Sequence, residues 1–240
     1  MTALPRSAPT AIRAVLFDVG GPIDTEVTSE EANDRAIRAA LEAEGVPVTD
    51  AAYASANAYA VEAFAPDAYA SIIWRLASND PAVARKAYAR FHSADRLAEQ
   101  GGIELRPGIA DLIPALHARA LLLGLAANQP LRVIAELDRH GVGRYFAHRE
   151  VSGHHGYRKP DVRLFLRACE DLQLEPAECV MVGDRIDNDI APAKLLGMRT
   201  ILFRTGRHIA QQPRSADELA DAEVSSVEGL SEALLALTRR

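Results

Sequence analysis

The chain carries three aspartates and one lysine at positions that a parallel sheet would bring together. Asp18 and Asp184 each directly follow a short apolar run, Asp189 comes shortly after Asp184, and Lys159 lies in a predicted loop. Carboxylates gathered at one place repel one another and raise each other's pKa, and a hard divalent cation such as Mg²⁺ removes that conflict. The cation would also shield an anionic nucleophile from an incoming phosphoryl group. These residue types therefore predict a magnesium site at which a carboxylate accepts a phosphoryl group.

Such a site needs strands that end at one rim, and the spacing of apolar residues predicts them. Short apolar runs with β-branched residues predict strands, and apolar residues spaced three or four apart predict helices. The predicted strands are residues 11–17, 121–126, 149–152, 179–182 and 200–203, with a short one near 223–224. The predicted helices are residues 109–119, 131–140, 161–172, 189–196 and 227–237. Because the two alternate, the sheet should be parallel, covered on both faces, and should bind ligands at the carboxyl ends of its strands.

Residues 29–100 break this alternation. Alanine is abundant there, glycine is scarce, and the apolar spacing predicts about four helices and no strand. The fold class that follows is α/β: a doubly wound, Rossmann-like parallel sheet with an inserted all-helical cap. We predict that residues 1–24 and 102–240 form the α/β core and that residues 25–101 form the cap.

The composition is typical of a globular protein. The 240 residues are 48% hydrophobic and 25% charged, with a formal net charge of -6. This charge favours solubility and argues against nucleic acid as a partner. No apolar run reaches the roughly 18 residues of a membrane span, and the first ten residues lack the apolar stretch of a secretory signal. We therefore expect a cytoplasmic enzyme that acts on a small molecule, binds no membrane, and is a monomer or homodimer. Cys169 and Cys179 should be ordinary buried residues.

Four motifs resemble those of the haloacid dehalogenase-like (HAD) superfamily. They are LFDVGG at residues 16–21, LAANQ at 125–129, YRKPD at 157–161 and VGDRIDND at 182–189. The resemblance covers almost the whole chain, and the last two motifs are the most specific. The helical block after the first motif is similar to the cap of the family's first insertion class. The resemblance is to the phosphatase-like subgroup with a helical cap.

This resemblance implies a Mg²⁺-dependent phosphatase of a small phosphorylated metabolite that works through an aspartyl-phosphate intermediate. Asp18 would be the nucleophile and a metal ligand. The backbone carbonyl of Gly20 and the carboxylate of Asp184 would be further metal ligands. Asp189 would support the metal, directly or through water.

The resemblance also implies two residues that hold the phosphoryl group. Lys159 would neutralise the nucleophile and the phosphoryl oxygens. Asn128, with the backbone around it, would help to bind the phosphate.

Two positions depart from the pattern of the family's phosphatases. The family usually has a second aspartate two residues after the nucleophile, which protonates the leaving group and later activates water; here that residue is Gly20. Such acid–base catalysis contributes about 10²–10⁴-fold to rate, so we expect slow turnover, a good leaving group or a substitute acid. The family's phosphate-binding Ser or Thr is replaced by Ala127. The candidates for a substitute acid are Asp24, Glu26, His154 and His155.

The same residues leave two other functions open. A metal-independent 2-haloacid dehalogenase would use Asp18 as its nucleophile and would need no acid at Gly20. The pair Asp184 and Asp189 argues against it, because its anionic substrate would be repelled. Alternatively, Gly20 and Ala127 together would suit a phospho-ligand-binding protein that has largely lost its turnover.

Overall fold

A computed structural model describes residues 10–93 and 102–238 of the chain. Its α carbons cluster into two compact units: residues 1–25, 105–205 and 213–240 form the core unit, and residues 26–104 and 206–212 form the helical unit. The inclusion of residues 206–212 in the helical unit has no counterpart in the sequence patterns.

A single five-stranded sheet organises the core unit, and all of its strand pairs are parallel. The order of the strands is β2-β1-β3-β4-β5. The predicted doubly wound α/β architecture is therefore confirmed. The strands are β1 (Ala14–Phe17), β2 (Leu122–Leu125), β3 (Cys179–Gly183), β4 (Arg199–Phe203) and β5 (Ala222–Val224).

The strand order reverses direction at β1. The chain leaves β1 for β2 on one side and later returns to β3 on the other. In open α/β sheets this reversal leaves a crevice outside the carboxyl ends of the two flanking strands, and ligands bind there. Phe17 pairs with Leu125 on β2 and with Val182 on β3. The residues that follow these three positions therefore emerge side by side at the crevice.

Helices cover both faces of this sheet, as parallel strands require. One cluster packs Phe165 and Cys169 against Leu16 and Met181 of the central strands. Cys169 and Cys179 are both buried free thiols. The core-unit helices are α5 (Ile109–Ala118), α6 (Arg132–Arg139), α7 (Ser152–His155), α8 (Val162–Leu172), α9 (Ala191–Leu195) and α10 (Val227–Thr238).

The strand predicted at residues 149–152 is wrong. Helix α7 begins at Ser152. The Ser152 N–H donates to the carbonyl of Ala127 at 3.0 Å and takes no part in a strand ladder. Arg149 and Glu150 extend into ion pairs with charged residues of neighbouring helices. With Val151 as its one large apolar side chain, the segment cannot form an apolar strand face against the edge of β2.

The helical unit contains four helices within residues 26–93, as predicted; residues 94–101 of the predicted block lie outside the described part of the chain. Its apolar core draws on all four helices, for example Ile37, Tyr53, Ile72 and Phe91. The side chains of Thr49, Asp67 and Asp80 cap three of the helices by accepting backbone N–H bonds. The helices are α1 (Val27–Glu42), α2 (Asp50–Glu62), α3 (Ala68–Leu76) and α4 (Pro81–Phe91).

Segment 206–212 packs within the helical unit through Arg207. The guanidinium is 5% exposed, and its Nη2 lies 2.6 Å from Asp34 Oδ1. The Arg207 Nε lies 3.5 Å from Glu30 Oε1, and Nη1 donates to Asn57 Oδ1. Within the described residues, no helix has the length and apolar character needed to cross a membrane.

Candidate active site

The end of strand β1 holds Asp18 at the crevice. The Asp18 N–H donates to the Val182 carbonyl at 2.9 Å, which continues the sheet for one residue beyond the strand. Its carboxylate Oδ1 accepts the Val19 N–H at 2.8 Å. The side chain is 14% exposed, so it is held on two sides and still reaches solvent.

Lys159 lies between two of the aspartates. Its ammonium is 2.8 Å from Asp18 Oδ2 and 2.6 Å from Asp189 Oδ1, and its side chain is 1% exposed. The loop that carries it is fixed by Asn128, which follows β2. The Lys159 N–H donates to Asn128 Oδ1 at 2.7 Å, and Asn128 Nδ2 donates to the Lys159 carbonyl at 3.0 Å. Asn128 therefore positions the lysine through its backbone.

Strand β3 and the turn after it carry Asp184 and Asp189. The turn, Ile186–Ile190, is π-helical and leads into α9, so the helix predicted from residue 189 begins as a wider turn. Such turns often occur at functional sites. Asp189 is fully buried, and its Oδ2 accepts the Arg185 N–H at 2.9 Å. The turn thus points this carboxylate back at the strand end.

Ligand oxygens of Asp18, Asp184 and Asp189 all lie within 4.8 Å of one another. Burial raises the pKa of the Asp18 carboxyl to about 6; Lys159 opposes this shift and Asp189 adds to it. Burial alone would lower the pKa of the Lys159 ammonium, but Asp18 and Asp189 hold it above its usual value. The lysine therefore stays charged and compensates one of the three carboxylates.

This donor set fits a hard divalent cation. Mg²⁺ prefers oxygen ligands and usually takes one or two protein carboxylates together with water. The three carboxylates offer only oxygen, and their charge exceeds that of Lys159. Each carboxylate oxygen of Asp18 and Asp189 has a second lone pair beyond the contact it already makes with an N–H group. Among residues 10–93 and 102–238, this is the one group of three or more His, Cys, Asp or Glu residues with metal-binding spacing.

None of the candidates for a substitute acid belongs to the three-carboxylate cluster. The exposed His154 accepts the Val151 N–H on its Nδ1, and His155 accepts the Tyr157 N–H in the same way. Asp24 is 8% exposed and pairs through its backbone with Gly20 and with Leu105. Glu26 belongs to the helical unit. Asp187, which follows Asp184 in the motif, pairs with Arg185 at 2.5 Å.

Arg106 and Gly21 shape the turn after Asp18. Arg106 Nε donates to the Gly21 carbonyl at 2.7 Å, and its Nη2 donates to Thr205 Oγ1 at 2.8 Å. Gly21 has a left-handed φ of 82°, and a Cβ there would lie 2.8 Å from Asp184 Cβ. Only glycine fits this approach. The glycine was visible in the motif, whereas no local pattern marked Arg106.

The chain is similar to other proteins over most of its length. It is 30% identical to a glyceraldehyde 3-phosphate phosphatase of Methanopyrus kandleri, over 89% of this chain and 93% of that protein. Among solved structures, a predicted phosphoglycolate phosphatase from Haemophilus somnus matches with a TM-score of 0.70 at 18% identity, over 97% of this chain and 100% of that one. The magnesium-bound HAD hydrolase YfnB from Bacillus subtilis matches with a TM-score of 0.60 at 21% identity, over 94% and 100%.

The last two similarities support the fold, and the first extends to most of the sequence. A family model described as haloacid dehalogenase-like hydrolase matches residues 12–197, which include β1 to β3 and every member of the aspartate–lysine cluster. The chain belongs to the haloacid dehalogenase-like hydrolase family.

Proposed function

We propose that the protein is a Mg²⁺-dependent phosphatase that hydrolyses a small phosphorylated metabolite through a phosphorylated Asp18. The observation that carries this proposal is the position of the Lys159 ammonium, within 2.8 Å of Asp18 and 2.6 Å of Asp189. Asp184 completes a set of three carboxylates within 4.8 Å. A nucleophile, a cation for the phosphoryl oxygens and a metal-binding group are thus assembled at one strand rim.

Asp18 performs the covalent chemistry in this proposal. One of its carboxylate oxygens bonds to the phosphorus of the substrate while the bond from phosphorus to the leaving oxygen breaks. Water then attacks the phosphorus of the aspartyl phosphate, which restores the Asp18 carboxylate and releases inorganic phosphate. The bonds from Val19 and Lys159 fix the orientation of the carboxylate before substrate arrives.

The neighbouring residues neutralise charge. Lys159, which contacts Asp18, would also neutralise the oxygens of the transferred phosphoryl group. Asp18, Asp184 and the Gly20 carbonyl would hold the metal, with Asp189 supporting it directly or through water. When bound, Mg²⁺ supplies positive charge that lets the anionic substrate approach an anionic nucleophile. Asn128 would bind phosphate in addition to holding the Lys159 backbone.

The relatives support this reading of the substrate. The Methanopyrus kandleri protein is named for a small phosphorylated metabolite, and the Bacillus subtilis structure contains magnesium. A strand rim that offers one metal-binding group and one lysine suits a compact anion of that kind.

A hydrolysis screen over phosphorylated metabolites, with and without Mg²⁺, tests the proposal. The Asp18→Asn variant keeps the size of the side chain and removes the nucleophile, so we expect it to abolish phosphate release. Asp187→Asn is the matched control, because Asp187 lies outside the three-carboxylate cluster and pairs with Arg185. Retained activity in the Asp18 variant would reject the proposal.

A metal-independent dehalogenase remains the second candidate because Gly20 leaves that chemistry possible. It would release halide from a 2-haloacid at an unchanged rate in excess chelator. The excess of carboxylates over Lys159 argues against it, since an anionic haloacid would be repelled without a cation.

A further inference from the structure

The residue two positions beyond Asp18 has no side chain. Gly20 is buried in the turn after β1 and pairs with Asp24 through its backbone. It follows Val19, whose N–H is committed to the Asp18 carboxylate, and precedes Gly21, which has no room for a Cβ beside Asp184. No proton donor can therefore come from this turn position.

The cationic groups of this rim are already engaged. Arg106 donates to Gly21 and Thr205, and Arg185 pairs with Asp187. The ammonium of Lys159 contacts two carboxylates. Both histidines considered as substitutes accept backbone N–H bonds of their own turn on Nδ1. Arg106, Arg185 and Lys159 therefore neutralise charge and hold the turns of this rim in place.

Chemistry then restricts the leaving group. An alkyl phosphate must expel an alkoxide. An alkoxide is about as basic as hydroxide, whose conjugate acid, water, has a pKa of about 15.7. A carboxylate leaving group has a conjugate acid of pKa about 4 and departs without a proton. General acid catalysis, which contributes about 10²–10⁴-fold, matters for the first class and hardly for the second.

We infer that the substrates are phosphoric anhydrides, and acyl phosphates in particular, rather than alkyl phosphates; this rests on the proposed phosphatase function. In the first step the Asp18 carboxylate bonds to phosphorus, and the bond from phosphorus to the acyl oxygen breaks to release a carboxylate. In the second step water attacks the aspartyl phosphate, giving hydrogen phosphate, a free proton and the Asp18 carboxylate.

The missing side chain at residue 20 also affects the second step, the hydrolysis of the aspartyl phosphate. A family phosphatase uses its acid again, as a base, to activate that water, and Gly20 cannot do so. Loss of phosphate from Asp18 is therefore the slow step for a good substrate. The value of kcat should be the same for all good leaving groups, and kcat/KM, which reports the first step, should vary with the leaving group.

This substrate class differs from the one named for the Methanopyrus kandleri relative. Glyceraldehyde 3-phosphate is an alkyl phosphate. Under the proposed function the phosphoryl chemistry is shared with that relative, whereas the preferred leaving group depends on the residue at position 20.

The test measures kcat/KM of the full chain with Mg²⁺ on acetyl phosphate, on aryl phosphates of graded leaving-group pKa and on an alkyl phosphate. Each value is divided by the uncatalysed rate of the same compound. Gly20→Asp restores a carboxylic acid, and Gly20→Asn is its matched control of equal size without a transferable proton. Gly20 has no left-handed φ, so its backbone accepts either side chain.

For the wild type we expect the corrected kcat/KM to fall steadily as leaving-group pKa rises, by about 10²–10⁴-fold between the acyl and the alkyl phosphate. Gly20→Asp should recover much of that loss on the alkyl phosphate alone, and Gly20→Asn should not. If a variant does not fold, the wild-type series still decides.

Equal corrected rates on acyl and alkyl phosphates would overturn the inference, and would reveal a proton donor elsewhere in the chain. That result would leave the phosphatase function intact as long as Asp18→Asn remains inactive. The absence of Asp18-dependent hydrolysis of every compound, acetyl phosphate included, would instead reject the phosphatase function itself.

Discussion

Gly183 lets the buried Asp189 carboxylate pack directly against the end of strand β3. A Cβ on residue 183 would lie 2.3 Å from Asp189 Cγ and 2.4 Å from its Oδ2, closer than side chains approach. Asp189 cannot retreat freely, because its two oxygens accept from Lys159 and from the Arg185 N–H. We therefore predict that Gly183→Ala destabilises the protein and displaces Asp189.

Two effects set the size of this change. Overpacking of a tightly filled site costs about 1–3 kcal/mol. If Asp189 moves far enough to break its bond with Lys159, the loss of a charged hydrogen bond adds about 1.5–3 kcal/mol. The free energy of unfolding should therefore fall by about 1–3 kcal/mol if only the backbone adjusts, and by more if the cluster opens.

Urea unfolding followed by far-ultraviolet circular dichroism measures this change, and Gly229→Ala is the matched control. Gly229 lies within α10, and the atoms nearest to a Cβ there are 3.5 Å away or more. Because alanine favours helix over glycine by up to about 1 kcal/mol, this control should stabilise slightly.

Magnesium gives the second readout for the same variant. A ligand that binds the folded state at 100 times its Kd stabilises it by about 2.7 kcal/mol. Gly183→Ala should lose most of this gain, and Gly229→Ala should keep it. A Gly183→Ala protein with wild-type stability and wild-type stabilisation by Mg²⁺ would refute the reasoning. It would mean that residue 183 accommodates a Cβ without displacing Asp189.

Three further predictions concern single contacts. Asn128→Ala removes two hydrogen bonds to the Lys159 backbone, so unfolding should cost about 0.5–1.5 kcal/mol less for each, and undiminished phosphatase activity would contradict its positioning role. Arg207→Met should destabilise the helical unit by about 3 kcal/mol or less, which is the low end for a broken buried ion pair because the partner carboxylates are partly exposed. The single tryptophan lies in that unit, so its fluorescence reports the unfolding of the unit in urea. A fluorescence transition at the wild-type urea concentration would disprove this prediction. Arg90→Ala should cost less than about 1 kcal/mol because the arginine is 58% exposed, and a larger loss in the same assay would show a hidden packing role.

Much of the sheet could be predicted because buried parallel strands leave a strong local signal. The run AVLF of β1 and the run CVMVG of β3 are wholly buried, and each ends directly before an aspartate. Once both are placed in one parallel sheet, the meeting of Asp18 and Asp184 follows from topology. The aspartate–lysine cluster is therefore predictable from the sequence alone.

The remaining features depend on contacts distant in sequence. Arg106 reaches Gly21 across 85 positions, and Arg207 reaches Asp34 across 173. Neither contact leaves a periodicity or a motif near the residue itself. The strand predicted after His148 is wrong because a short segment with one large apolar residue has the local pattern of a strand, and only its backbone partners distinguish the two.

The chain passes through the helical unit twice, once at residues 26–104 and again at 206–212. Grafting the cap onto another member of the family as a single block would therefore leave the second pass behind. Arg207 would remain on the donor without its acceptors, while the transplanted helices would keep Glu30 and Asp34 without their cation. A chimera that exchanges both segments should fold where the single-block exchange fails, which makes this cap a two-part module for recombination.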